Sequence, residues 1–359
     1  MSQNFLVQKN ALNEAQLESV EDLSPGTGEV VLEVERFALT ANNITYGVAG
    51  DIIGYWQFFP SDKSADGWGR IPVWGIGRVA ASDHPDMAEG TRYYGYFPMS
   101  SQLLVKPEKV NARGFVDAAA HRAELPPVYN QYSLCTADNG FDPAFDNHAM
   151  VYRPLFTTSF VLDDYLLDNE FFGASQIVIG SASSKTGFGL AYMLKRRENI
   201  SIVGLTSPSN REFVEGLGLY DQVLSYDEVE SLENVPSAYV DMAGNRQVLS
   251  RVHNHLNDNL TCSCGVGITH WDAREGEAPA TLPGAKPTMF FAPSQIMKRH
   301  EELGPEQYQA LLGQATADFF ADVDSWVTIE EHGFADVESV YRTVLEGPAA
   351  DKAYVVVQS

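Results

Sequence analysis

Hydrophobic and polar positions follow one period early in this chain and another in its middle. After the turn sequence Pro25-Gly26-Thr27-Gly28, the run from Glu29 to Phe37 mixes apolar and charged residues with the period of two that marks a half-buried strand. Pro72-Val73-Trp74-Gly75-Ile76-Gly77-Arg78-Val79 and Leu103-Leu104-Val105-Lys106-Pro107 are further apolar runs, and glycine and proline punctuate the region with little helical spacing. This half predicts a β-rich, barrel-like domain. The segment from Glu108 to Arg153, with His121, Arg122, Tyr129, Tyr132 and Cys135, reads as a structured excursion rather than a linker.

In the middle the pattern alternates between strand and helix. Gln176-Ile177-Val178-Ile179 breaks at Gly180, passes through Ser181-Ala182-Ser183-Ser184-Lys185-Thr186, meets Gly187 and Gly189, and enters an apolar helical pattern. Ser201 to Leu205 predicts a second strand. Ser207-Pro208-Ser209-Asn210 predicts a cap, and Phe213, Val214 and Leu217 the apolar face of a helix closed by Gly216 and Gly218. Gln222 to Leu224 and Ala238 to Asp241 are short strands, and Val248, Leu249, Val252 and Leu256 recur at helical spacing. Leu260 to Cys264 and Thr288 to Ala292 add two buried-looking strands. The tail predicts a helix at Phe334 to Tyr341 and a closing strand at Lys352 to Val357.

Alternating β and α units of this size imply a parallel sheet with right-handed crossovers, a Rossmann domain. Its ligand would lie at the carboxyl ends of the strands, where the glycine turn falls. A strand, a tight turn and a helix start, in that order, set unpaired amides before a phosphate, and glycine lets the backbone come close. The turn departs from plain G-x-G-x-x-G spacing.

Composition narrows the classes. At 359 residues the chain has room for two cores. Its 48 Asp and Glu against 24 Lys and Arg leave a net charge of −24. That balance disfavours nucleic acid and anionic membranes, which need clustered cations. No apolar run approaches the roughly 18 residues of a membrane span, and the N-terminus lacks the order of a signal peptide. A cytoplasmic location is expected. Three scattered cysteines, Cys135, Cys262 and Cys264, argue for a reducing compartment, the last two as small buried hydrophobes in a strand. No set at structural zinc spacing is present. His253, His255 and His270 read as surface or satisfied histidines, and no metal is expected.

The order of these segments resembles the medium-chain dehydrogenase/reductase superfamily, in its zinc-independent quinone and enoyl reductase branch. Pro25 to Val30 is similar to that family's opening strand, Ala41 to Gly50 to its substrate loop, and Pro72 to Val79 to its glycine-rich strand. Pro154 to Phe160 resembles the helix before the nucleotide domain, Ala182 to Gly187 the phosphate turn, and Ala335 to Tyr341 the late helix. His121 to Pro127 and Phe290 to Gln295 resemble an offshoot of the DUF2855 type. The resemblance implies a GroES-like β-barrel at 1–155 completed by 322–359, plus a Rossmann doubly wound parallel sheet at 156–321. Departures accompany it. Ile44 stands where the family has aspartate, Gly77 or Arg78 where it has glutamate, and Ser184 and Lys185 where it has glycines. Neither Cys nor His occupies the zinc positions of the alcohol dehydrogenases.

Candidate chemistry follows from both readings. The end of the second strand offers Thr206 and Ser207 with Arg211 nearby, and no acidic residue for a ribose 2′-hydroxyl. Hydroxyls and a guanidinium suit a 2′-phosphate, so NADPH is favoured over NADH; Ser207 is at the same time a helix cap. Lys185 brings a compact charge to the turn, or is simply an exposed lysine. The cofactor set is Gly180, Ser183, Ser184, Lys185, Thr186, Gly187, Thr206, Ser207, Arg211, Tyr226, Gly265 and Phe291. The resemblance sets Tyr46 on the nicotinamide side of the cleft, where a phenol can protonate the α-carbon of a conjugated carbonyl. The competing reading makes it an aromatic filling the barrel mouth. Asn43 and Thr45 would orient the carbonyl, and Tyr129 and Tyr132 are rival donors. The expected partner is a small-molecule substrate, and a homodimer is compatible with this reading. A ketone or aldehyde reductase and a non-catalytic nucleotide-binding protein are the alternatives.

Overall fold

Strand-forming sequence dominates the first 134 residues, and the computed structural model, which describes residues 1–242, 244–266 and 282–358, turns it into strands joined by short helical turns. These are β1 (Ser2–Gln8), β2 (Ala11–Val20), β3 (Val30–Leu39), β4 (Trp68–Gly69), β5 (Pro72–Ser82), β6 (Arg92–Pro98), β7 (Gln102–Val105), β8 (Pro107–Asn111), β9 (Gly114–Asp117) and β10 (Gln131–Leu134). The middle of the chain carries β11 (Gln176–Gly180), β12 (Ser201–Thr206), β13 (Gln222–Ser225), β14 (Ser237–Asp241), β15 (Leu260–Gly265) and β16 (Thr288–Met289), and the tail β17 (Thr328–Gly333) and β18 (Lys352–Val357). The helices are α1 (Ala41–Val48), α2 (Gly50–Ile53), α3 (Asp146–Asp168), α4 (Lys185–Leu194), α5 (Arg211–Gly216), α6 (Arg246–Leu256), α7 (Ala292–Leu303), α8 (Pro305–Val323) and α9 (Val337–Glu346).

The chain divides into two units, Met1–Val151 with Val327–Ser359, and Tyr152–Trp326. The division falls within α3, a few residues before the cut expected after residue 155. In the first unit, β17-β18-β3-β5-β6-β10-β9-β8 run in that order, β7 pairs with β3, and β2-β1-β4 form a smaller sheet. Phe5, Phe37, Phe58, Phe97, Phe115 and Tyr132 fill the core between them. The expected substrate loop at Ala41 to Gly50 is helical. Asn43 makes the difference, because its side chain reaches back to the Thr40 amide at 2.7 Å and closes a capping box that starts α1.

The excursion is anchored by a buried charge pair. Arg122 and Asp117, each 1% exposed, meet at 3.0 Å, and the guanidinium lies 4.6 Å from the centre of the Phe59 ring. Asp117 also accepts the amides of Lys106 and Ala119.

The second unit is one sheet, ordered β13-β12-β11-β14-β15-β16 and parallel throughout. Counted along the chain this is 3-2-1-4-5-6, the Rossmann order. The last strand, expected to be buried, is exposed at both residues and ends at Met289 rather than Ala292, since Ala292 and Pro293 open α7. His253 is fully buried on α6. Its Nδ1 sits 2.8 Å from the Pro283 carbonyl and its Nε2 2.9 Å from Ser263 Oγ. The carbonyl can only accept, so Nδ1 carries the proton and Nε2 accepts from the serine. Cys262 and Cys264 are buried beside Ser263. His270 lies outside the described residues.

Two stability predictions follow from these buried groups. Asp117→Ala strands the Arg122 charge and should cost about 3–5 kcal/mol in denaturant unfolding, as broken buried pairs do. His253 stays neutral because burial lowers its pKa. An unfolded imidazole takes up a proton near pH 6.5 that the fold refuses. Stability should therefore fall as pH drops from about 6.5 toward the lower folded value, and His253→Gln should flatten that part of the unfolding profile.

Candidate active site

The strand order reverses direction between β11 and β14, and there Gly180 is in register with Leu205 on one side and Asp241 on the other. Beyond Gly180 the backbone turns through Ser181, whose φ of 54° is left-handed. Ala182 N bonds the Leu205 carbonyl at 2.9 Å and Ser184 N the Ser181 carbonyl at 2.9 Å, which folds the turn flat against the sheet end. Ser184 is the N-cap of α4, with Oγ accepting from Gly187 N at 3.0 Å. A helix leaves its first amides without partners inside the helix. Ser184 satisfies that of Gly187, and the amides before it are those a phosphate would meet.

Gly187 is dictated by contact. A Cβ there would lie 2.7 Å from the Ser181 carbonyl oxygen and 2.9 Å from Ser184 Oγ. Ser184 and Lys185, which stand where the resemblance has glycines, are the cap and the first residue of α4. The turn is thus capped by a side chain where glycines would leave it bare.

Neighbouring strand ends complete the rim. Thr206 is fully buried and its Oγ1 has no hydrogen-bond partner among the described residues. Ser207 Oγ pairs with Ser209 Oγ at 2.9 Å, and Asn210 Nδ2 donates to Ser183 Oγ at 3.1 Å, which ties the second-strand loop to the glycine turn. Tyr226 follows β13, with its hydroxyl in hydrogen-bonding reach of Ser181; burial raises its pKa, and Ser181 pulls it back. Tyr239, raised chiefly by burial, bonds Asp241, whose Oδ1 also accepts from Gly244 N at 2.8 Å. Gly265 borders a small cavity with Asp241, Gly244, Arg246, Leu249, Ser263 and Pro287. Phe291 stands exposed just before α7.

Arg211 sits differently from the expectation. Its guanidinium donates to Glu215 at 2.9 Å, Glu228 at 2.6 Å and the Val223 carbonyl at 3.3 Å. Two carboxylates already match its charge, so a 2′-phosphate would have to compete with them. Asp241, Tyr239 and Asn210 were missed in the sequence. Asp241 read there only as the end of a strand, although an acidic residue closing the fourth strand of such a sheet was a usable signal.

In the first unit, Tyr46 on α1 is 6% exposed. Its hydroxyl accepts from Asn42 Nδ2 at 2.7 Å and from Trp74 Nε1 at 3.3 Å. Its ring packs against Tyr55, Tyr96 and Tyr129 at centroid distances of 4.5, 5.7 and 6.5 Å. Tyr55 and Tyr129 share a hydrogen bond of 3.1 Å. Burial first, then the Tyr129 phenol, pushes the Tyr46 pKa well above its ordinary value, while Trp74 and Asn42 pull it back. Burial pushes Tyr55 up to about 12. Asn43 is fully engaged, since it caps α1 and donates to the Pro72 carbonyl at 2.9 Å. It braces the corner between α1 and β5 rather than offering an amide to a ligand. Thr45 is exposed and turns its hydroxyl back to Ala41. Tyr132 donates to the Tyr96 carbonyl inside the core. Among the described residues no three His, Cys, Asp or Glu side chains gather where they could hold a metal, and no described helix is long and apolar enough to cross a membrane.

A GroES-like barrel unit and a 3-2-1-4-5-6 Rossmann unit in one chain define the medium-chain reductase fold. Solved structures share it end to end. CurA from Vibrio vulnificus in complex with NADPH matches with TM-score 0.63 and 14% identity over 99% of both chains. The yhdH oxidoreductase from Salmonella enterica in complex with NADP matches with TM-score 0.53 and 16% identity over 99% of both chains. The CurK enoyl reductase matches with TM-score 0.56 and 13% identity over 100% of this chain and 99% of its own. At these identities the likeness is one of fold. No curated protein matches in sequence. The chain belongs to the family described as protein of unknown function (DUF2855), whose model matches residues 37–350.

The close contact at Gly187 yields a test. Gly187→Ala should destabilise the second unit by about 1–3 kcal/mol, the usual cost of an inserted carbon in a packed site. If the turn cradles a pyrophosphate, NADPH and NADH should both lose affinity, measured by quenching or transfer of protein fluorescence.

Proposed function

We propose that the chain is an NADPH-dependent oxidoreductase that delivers hydride to a conjugated carbonyl or quinone-like small molecule. The observation that carries this reading is the capped turn from Gly180 to Gly187 at the reversal of a Rossmann sheet, in a fold whose solved examples include NADPH and NADP complexes. The residues fit the cofactor. Gly187 lets the head of α4 close onto the Ser181 carbonyl, where a Cβ would lie 2.7 Å from the oxygen, and the buried Oγ1 of Thr206 at the end of the second strand has no hydrogen-bond partner among the described residues. Ser183, Ser184, Lys185 and Thr186 would hold the pyrophosphate, Thr206 and Ser207 the adenosine side, and Tyr226, Gly265 and Phe291 the flanks.

When bound, the dihydronicotinamide supplies a hydride to the β-carbon of the substrate. The protein's share is to exclude water and to give a proton to the α-carbon. Tyr46 suits that step. Burial keeps its phenol protonated at neutral pH, and its two hydrogen-bond donors stabilise the phenolate left when the proton departs. Solvent then returns the proton.

The test is NADPH oxidation, followed at 340 nm, against paired enones, quinones and saturated ketones and aldehydes. Turnover of enones or quinones alone is expected. Reduction of the saturated carbonyls alone moves the protein to the ketone reductase class, and no turnover of any, with NADPH bound, makes it a nucleotide-binding protein. Tyr46→Phe should lower kcat on enones by roughly 10²–10⁴, the span of general acid catalysis, with the NADPH Kd unchanged.

A second measurement concerns the charge beside the turn. Lys185→Ala should weaken NADPH and NADH alike, and more at low salt, where an incompletely buried charge is least screened. Purified protein should carry no stoichiometric zinc, and about one tightly held zinc per chain would overturn this reading.

A further inference from the structure

We propose that Asn42 and Trp74 are positioning residues that fix the hydroxyl of Tyr46 as a hydrogen-bond acceptor on both lone pairs and so aim its proton away from the protein's own acceptors. This rests on the reading of Tyr46 as the acid. As the Asn42 amide is placed, both groups donate. Nε1 of an indole only donates, and so does the nitrogen of a side-chain amide. Asn42 Nδ2 at 2.7 Å and Trp74 Nε1 at 3.3 Å therefore both point hydrogens at one phenol oxygen. The hydroxyl keeps one hydrogen, and no described residue accepts it.

The two donors are held from different elements. Asn42 lies one helical turn before Tyr46 on α1, the spacing at which helix side chains meet. Trp74 belongs to β5, and its ring is clamped between Tyr94, stacked at 5.5 Å, and Tyr96 at 5.2 Å. Trp74 cannot turn its nitrogen away without breaking these ring contacts. The arrangement also separates Asn42 from its neighbour. Asn43 spends its amide on the cap and on β5, whereas among the described residues the Asn42 side chain bonds Tyr46 alone. A buried phenol that gives up its proton needs such donors, because burial opposes the negative charge it is left with.

The experiment uses the full-length protein and three variants, Asn42→Asp, Asn42→Leu and Tyr46→Phe. Asn42→Asp keeps the shape and reverses the polarity, so that the carboxylate takes the phenol proton. An acid in the first turn also suits the helix, which favours folding. Asn42→Leu removes the donor without adding an acceptor. The first readout is the tyrosine Fermi doublet in ultraviolet resonance Raman spectra, taken for each protein against Tyr46→Phe. The ratio of the two bands should report an acceptor in the parent and a donor in Asn42→Asp. A parent difference spectrum of the donor kind, or one unchanged by Asn42→Asp, overturns the proposal.

The second readout is kinetic, with NADPH and benzylideneacetone, a conjugated ketone. Asn42→Asp should lose most of the kcat that Tyr46→Phe loses, with KM and the NADPH Kd within about two-fold of the parent and a larger solvent deuterium isotope effect on kcat. In the Tyr46→Phe background it should cost nothing further, since residues acting through one group are not additive. Full kcat in both Asn42 variants, beside an impaired Tyr46→Phe, overturns the positioning role and leaves the acid assignment standing. Full kcat in Tyr46→Phe sinks the acid assignment, and the Raman result then decides alone whether Asn42 orients the phenol.

Discussion

The carbonyl of Ser181 presses on the Cα of Gly187 so closely that any side chain there would sit 2.7 Å from the oxygen, and the second unit is arranged around that contact. It sets how near the head of α4 comes to the end of β11. That distance decides where the first amides of the helix are presented. Ser181 is held in a left-handed conformation by the same turn, a strained state for a residue with a side chain. Tyr226, Asp241 and Tyr239 close on it from the neighbouring strands. The turn is therefore set by neighbouring strands as well as by its own sequence.

Charge is the second constraint. With twice as many acidic as basic residues, arginine and lysine are drawn into ion pairs. Arg92 bridges Glu35 and Asp146, and Arg299 serves Asp164, Asp168 and Glu302. Arg211, placed beside the adenosine end of the turn by its position in sequence, is taken by Glu215 and Glu228. A cation close to a phosphate turn is not thereby available to it. Under the proposed function, discrimination between NADPH and NADH would fall more to hydroxyls and backbone amides than to Arg211.

The strands were legible in the sequence because burial on one or both faces writes a period into it, and six parallel strands could be placed from apolar runs between helical spacings. The glycine turn was legible for a related reason, since Gly187 answers a steric demand of its own turn, whereas Gly180 is constrained by Tyr239 from the neighbouring strand. Helix α1 was not, because its start depends on the short reciprocal contact between Thr40 and Asn43. Nor was the state of Arg211, whose partner Glu228 lies 17 residues away. Tyr46 could be singled out, but its surroundings could not. Trp74 is 28 residues distant, and the Tyr55–Tyr129 pair spans 74. Local pattern yields elements, while the polar wiring of a site is set by tertiary contacts.

The interruption of the first unit by the second has a consequence for how the molecule is made. Strand β3 is bordered by β5 and β7 from its own region, and by β18, where Leu39 is opposite Tyr354 and Arg36 opposite Val357. During synthesis the unit Tyr152–Trp326 is contiguous and has all its strands when Trp326 emerges, so it can fold as a unit on the ribosome. The barrel cannot close then. Its apolar edge along Phe37, Ala38 and Leu39 waits until β18 has been made, an open sheet edge of the kind that pairs with strangers. Birth of this protein is thus staggered, with the Rossmann unit complete first and the unit that holds Tyr46 sealed last.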